Sequence, residues 1–158
     1  MGPQRSIRVW RLTRNDQRDI LTTCGFGGSP RYKRGEMKSL EEKKILIVDD
    51  DEGMRKTLAG VLKIKGFNVD TAEDGYDALE MIKNTEFDVI LMDIWMPGIN
   101  GVETFIQVKE ICPQIDVIMV TGYSVGDLVD KALSEGAKGI IYKPFEIEDL
   151  VEKILALL

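Results

Sequence analysis

From Lys44 onward the chain sets short, unbroken apolar runs against longer stretches with helical apolar spacing, and it repeats this alternation five times. The runs are Ile45-Leu46-Ile47-Val48, Val89-Ile90-Leu91-Met92, Val117-Ile118-Met119-Val120 and Ile140-Ile141-Tyr142. Phe67-Asn68-Val69-Asp70-Thr71 alternates as a more exposed member of the set. A run without polar alternation reads as a strand buried on both faces. Between the first two strands, 52–65 places Met54, Leu58, Val61, Leu62 and Ile64 near helical spacing and stops at Gly66. Asp74 caps the next helix, whose apolar side takes Tyr76, Ala78, Leu79 and Ile82. Helices are also predicted over 102–111 and 125–134, with a last one carrying Ile147, Leu150, Val151, Ile154 and Leu155. Strands joined by helices run parallel, because each crossover returns the chain to its starting edge. The expected fold is α/β, a five-stranded parallel doubly wound sheet with five helices, which binds ligands at the carboxyl ends of its strands.

Charge separates this region from what precedes it. Residues 1–43 carry ten Lys/Arg against five Asp/Glu, and residues 44–158 carry eleven against twenty-two. The first segment has no sustained pattern and is expected to be a disordered basic extension, with Met37 a candidate start of the compact part. The acidic domain repels nucleic-acid phosphates, so no direct DNA binding is expected. No apolar stretch is long enough to span a membrane. Histidine is absent, which excludes Ser-His-Asp catalysis, His-ligated zinc and a phosphohistidine of the chain's own. Cys24 and Cys112 stand far apart without metal spacing, so no disulfide framework is expected and a cytoplasmic setting follows. Cys112 is expected to pack at a helix end.

The strand ends carry the chemistry. The first ends in Asp49-Asp50-Asp51, the third in Asp93, the fourth in Thr121-Gly122 and the fifth in Lys143-Pro144. Neighbouring strands bring these groups to one mouth. Close carboxylates repel by about 4 kcal/mol per pair at an effective dielectric near 20. A divalent cation offsets that cost, and an all-oxygen set selects Mg²⁺, Mn²⁺ or Ca²⁺ over zinc. Thr121, Lys143 and the Gly122 amide beside such a cation suit the oxygens of a phosphoryl group. Asp51 is expected to cap the first helix, and Arg55 to be solvated. Pro144 makes a cis peptide possible, which would aim Lys143.

Ile45-Leu-Ile-Val-Asp-Asp-Asp51, Ile90-Leu-Met-Asp-Ile-Trp-Met-Pro-Gly98 with Gly101, Thr121-Gly122 and Tyr142-Lys-Pro-Phe145 together resemble a response-regulator receiver domain, continuously over 44–158. The resemblance implies a flavodoxin-like sheet of order 2-1-3-4-5. It implies that Asp93 is the phosphoacceptor for a histidine kinase or histidine phosphotransfer protein. It further implies that Asp49, Asp50, Asp93 and the Trp95 main-chain carbonyl hold Mg²⁺, with Mn²⁺ as a substitute. Thr121 would bind a phosphoryl oxygen, and Lys143 would pair first with Asp93 and then with the phosphate.

Two departures bear on output. Many receivers carry Tyr or Phe three residues before the lysine, where this chain has Ile140, so the usual aromatic–threonine coupling is in doubt. Trp95 and Tyr123 each lie two residues after a key group, and their rings are expected to shield an acyl phosphate from water. The sequence ends at Leu158 with no appended effector, so the expected type is a single-domain receiver that acts by binding a downstream protein. The alternatives are a Mg²⁺-dependent aspartyl-nucleophile phosphatase and an inert receiver-like interaction module. The phosphatase usually places a general acid where this chain has Trp95.

Overall fold

The apolar runs become strands because both faces of each find cover. The structure, a computed structural model, describes residues 39–122 and 126–158. A 3-10 turn, Leu40–Glu42, leads into β1 (Lys44–Val48), α1 (Glu52–Ile64), β2 (Asn68–Ala72), α2 (Gly75–Asn84) and β3 (Val89–Asp93). Then come α3 (Gly101–Ile111), β4 (Asp116–Thr121), α4 (Gly126–Ser134), β5 (Gly139–Tyr142) and α5 (Ile147–Leu155). All strand pairs are parallel and the order is β2-β1-β3-β4-β5, the expected topology.

Alternate residues of each buried strand feed opposite layers. Leu46, Val48, Ile90, Met92, Val117 and Met119 pack under α2, α3 and α4. Ile45, Ile47, Val89, Leu91, Ile118 and Val120 pack under α1 and α5, against Leu58, Leu62, Leu150 and Ile154. β2 lies at the sheet edge and does not hold a strict alternation: Val69 packs into the layer under α1 and α5, Ala72 into the opposite layer, and Asn68 and Thr71 face water. That two-layer cover explains why the central runs lack polar residues.

Helix ends follow local chemistry. The Asp51 side chain accepts from the Met54 amide at 2.9 Å, Asp74 accepts from Asp77, and Asn100 with Glu103 closes a capping box on α3. α1 ends on Gly66 at φ +97°, where the Phe67 amide reaches the Leu62 carbonyl and the Gly66 amide reaches that of Lys63. A residue with a side chain is strained in that left-handed conformation.

Three expectations need correction. Ile64, assigned to the apolar side of α1, is 86% exposed, because it sits two residues past Leu62 and so on the opposite face of the helix. Tyr76 is also exposed, its ring lying beside Gly98 instead of inside the core. Cys112 packs against the core at the end of α3, as expected, but it is also disulfide-bonded. The chain's other cysteine, Cys24, lies outside the described residues.

Candidate functional site

The sheet order reverses between β1 and β3, and the two strand ends that flank this switch point both carry acids. Asp49 follows β1 directly and Asp93 is the last residue of β3. Both are nearly inaccessible, at 3% and 7% exposure, whereas Asp50 faces solvent. One carboxylate oxygen from each of Asp49, Asp50 and Asp93 lies within 4.8 Å of the others. Three acids this close, two of them buried, carry more negative charge than one lysine can balance. An all-oxygen set of this kind fits a hard divalent cation.

Lys143 follows β5 and crosses the mouth. Its Nζ lies 2.8 Å from Asp49 Oδ2 and 2.9 Å from Asp93 Oδ2. Its own amide donates to the Thr121 carbonyl at 2.7 Å, which ties the lysine loop to the end of β4. The Lys143–Pro144 peptide is cis. Each remaining carboxylate oxygen is held by backbone. The Asp51 amide donates to Asp49 Oδ1 at 2.8 Å, and the Trp95 amide donates to Asp93 Oδ1 at 3.2 Å.

These contacts set the protonation balance. Burial holds the Asp93 carboxyl above its ordinary range; the hydrogen bond and charge of Lys143 pull the other way and fall short. Burial also works against the charge on Lys143, but its bonds to Asp49 and Asp93 outweigh that, so its pKa is raised.

Thr121 ends β4, fully buried, with its hydroxyl donating to the Gly122 carbonyl at 3.2 Å. Gly122 is half-buried beside it. Trp95 puts its amide on Asp93 while its ring is 57% exposed. Ile140 lies on β5, half-buried against the layer under α2, α3 and α4. Tyr123 lies outside the described residues.

Gly101 belongs to the second motif but its physical role was not legible there, and Arg55 was not singled out for the site at all. Gly101 opens α3 with its amide on the Ile94 carbonyl at 2.9 Å, and a Cβ there would collide with the Asp93 carbonyl. Arg55, expected to be solvated, is instead half-buried and donates from Nη1 to the main-chain oxygen of Asp49. The signal that could have found it is a cation placed close to the positive end of a helix.

A parallel sheet of this order with acids and a lysine at its switch point defines a receiver-type module. The chain belongs to the response regulator receiver domain family, which matches residues 45–155. It is 37% identical over 112 residues to chemotaxis protein CheY of Halobacterium salinarum, covering 71% of this chain and 93% of that protein. It is 39% identical over 110 residues to a cyclic di-GMP phosphodiesterase of Thermotoga maritima, covering 70% of this chain and 29% of that protein. Against response regulator MprA of Mycobacterium sp. (strain KMS), identity is 34% over 116 residues, 73% of this chain and 50% of that one. The chain therefore spans half or less of the length of several curated relatives. A solved CheY-like response regulator receiver domain protein from Methanospirillum hungatei matches with a TM-score of 0.70 at 35% identity, over 72% of this chain and 91% of that one. Receiver domains are signalling domains, and among the described residues no helix is long and apolar enough to cross a membrane.

Proposed function

We propose that residues 44–158 act as a stoichiometric phosphoacceptor and not as a turnover enzyme, with residues 1–43 an extension of separate character. An Asp93 oxygen attacks the phosphorus of a phosphohistidine on a partner kinase or phosphotransfer protein. The new O–P bond forms as the P–N bond breaks, and the imidazole leaves to take up a proton. Phosphoryl transfer asks a protein mainly for in-line positioning and neutralised oxygens. The observation that carries this reading is Lys143 Nζ held between Asp49 and Asp93, with Asp50 completing an acid cluster of cation-binding size.

Asp49, Asp50, Asp93 and the Trp95 carbonyl would hold Mg²⁺, or Mn²⁺ in its place, and a bound cation would neutralise phosphoryl oxygens. Lys143 exchanges its Asp93 contact for the phosphate, the Thr121 hydroxyl leaves the Gly122 carbonyl for a phosphoryl oxygen, and the Gly122 amide adds a donor. Trp95 and Tyr123 shield the product from water. Thr121 is tied to the lysine loop through the Lys143 amide, so its movement biases α4, β5 and α5 without needing an aromatic at Ile140. A groove of about 330 Å³, lined by Tyr142, Phe145, Glu146, Asp149 and Lys153, lies on that side and offers a downstream protein a seat. The module makes no direct DNA contact and works in the cytoplasm, a setting that rests on its phosphohistidine donor and not on the cysteines, since Cys112 is disulfide-bonded.

Incubation with acetyl phosphate and Mg²⁺ followed by intact mass measurement tests the reading. The expected result is a gain of one phosphoryl group that Asp93→Asn abolishes. Rapid multiple turnover of the phosphodonor would instead mark a phosphatase, and no gain would mark an inert interaction module.

A further inference from the structure

Arg55 is the fourth residue of α1, close to the end where unpaired amides gather positive charge and disfavour a cation. Its neighbour Lys56 points to solvent and pairs with Glu52 at 2.7 Å, a surface contact that explains its presence. Arg55 turns the other way. Half-buried, it donates from Nη1 to the Asp49 main-chain oxygen at 2.5 Å. That oxygen belongs to the rigid peptide that joins Asp49 to Asp50. The tilt of this peptide sets the direction from which the Asp50 side chain departs. Asp49 is already held at its other oxygens, by the Asp51 amide and by Lys143. Asp50 is exposed and takes its aim from the backbone that Arg55 grips.

We propose that Arg55 is a positioning residue: by bonding the carbonyl of the Asp49–Asp50 peptide, it presents both carboxylates to a divalent cation. The inference rests on the metal reading above. The guanidinium suits this task because its planar, permanently charged fork can hold a carbonyl without losing its proton. Partners that orient metal ligands in this way matter to affinity although they do not touch the metal.

The test titrates MgCl₂ by isothermal calorimetry into parent, Arg55→Gln, Arg55→Lys and Asp50→Asn proteins, and melts each without Mg²⁺. Arg55→Gln is expected to bind Mg²⁺ about tenfold more weakly, in line with the loss of a ligand-orienting partner. Its metal-free midpoint should match the parent's, and Arg55→Lys, which retains a charged donor, should recover most of the affinity. Unchanged affinity in Arg55→Gln overturns the proposal. Tighter binding also overturns it, since that is what removing a like charge alone would produce. A loss that lysine does not recover, and that tracks a lowered metal-free midpoint, assigns Arg55 to the stability of α1 and overturns it too. Failure of the metal reading itself looks different: the parent and Asp50→Asn would then bind Mg²⁺ equally weakly.

Discussion

Lys143 reaches Asp93 at 2.9 Å although 50 residues separate them, and the same ammonium group holds Asp49 at 2.8 Å. One cation thus serves two buried acids, with a third acid, Asp50, at the rim. The pocket is short of positive charge, and that shortage governs its response to substitution, pH and metal.

Asp93→Asn keeps the shape of the side chain and removes one negative charge. Lys143 retains Asp49 as a partner, so the lysine is not orphaned. Because burial disfavours the ionised Asp93, the variant should be more stable than the metal-free parent at pH 7. Mg²⁺ should then reverse the ranking. At tenfold excess over its dissociation constant, a cation bound by the parent alone adds about 1.4 kcal/mol. Urea unfolding with and without Mg²⁺ measures both effects.

The pH dependence follows from the sign of the shifts. Asp93 has a folded pKa above its unfolded one, so below both values it is protonated in both states and costs nothing. As pH climbs through the carboxylate range the unfolded chain ionises first, and stability falls until folded Asp93 ionises as well. The stability gap between Asp93→Asn and the metal-free parent should therefore close at about pH 4 and open toward neutrality. Lys143 runs the other way in charge but not in consequence. Its raised pKa means that its contribution is present below its unfolded pKa, about 10.4, and is lost only as pH rises through the folded value. Denaturant midpoints across a pH series, parent against variant, check the two windows.

Legibility from sequence followed how the fold uses each residue. The unbroken run Val89-Ile90-Leu91-Met92 announced a strand because β3 is covered on both faces and needs no polar alternation. Acids at the ends of such runs were visible for the same reason: a polar residue that stops an apolar run marks the carboxyl end of a strand, and parallel pairing sends those ends to one mouth. Ile64 is apolar yet exposed because burial depends on a residue's angle around the helix axis, which apolar identity does not report. Arg55 stayed hidden, and Gly101 showed in the motif without its reason, because both work on backbone atoms. A bond to the Asp49 carbonyl, or the space a missing Cβ leaves beside Asp93, follows from where two chain segments meet, and residue type alone does not report it.

Gly101→Ala tests that second contact. The added methyl would overlap the Asp93 carbonyl oxygen, and the neighbouring Ile94 backbone closes the way out. Backbone cannot swing aside as the end of a flexible side chain can, so α3 or the end of β3 must shift. Overpacking of this kind costs about 2 kcal/mol. The expected outcome is a lower thermal midpoint together with slower phosphoryl uptake from acetyl phosphate, because the added methyl presses on the backbone of Asp93 itself. A midpoint equal to the parent's would show that the helix start relaxes freely.

Trp95 supplies the last expectation. Its amide anchors Asp93 Oδ1 at 3.2 Å, while its ring stands 57% exposed two residues beyond the acid. The backbone contact survives any substitution but proline at this position; the ring does not. If the ring obstructs water approaching an acyl phosphate on Asp93, Trp95→Asn should leave phosphoryl uptake intact and speed its loss. A tenfold faster loss corresponds to about 1.4 kcal/mol of barrier, a reasonable scale for restricted access of one water molecule. Tyr123→Glu, alone and combined with Trp95→Asn, asks whether a second ring shares the task. Decay of the phosphorylated mass after removal of acetyl phosphate gives the rates, and equal lifetimes in parent and double variant would assign both rings to partner contact instead.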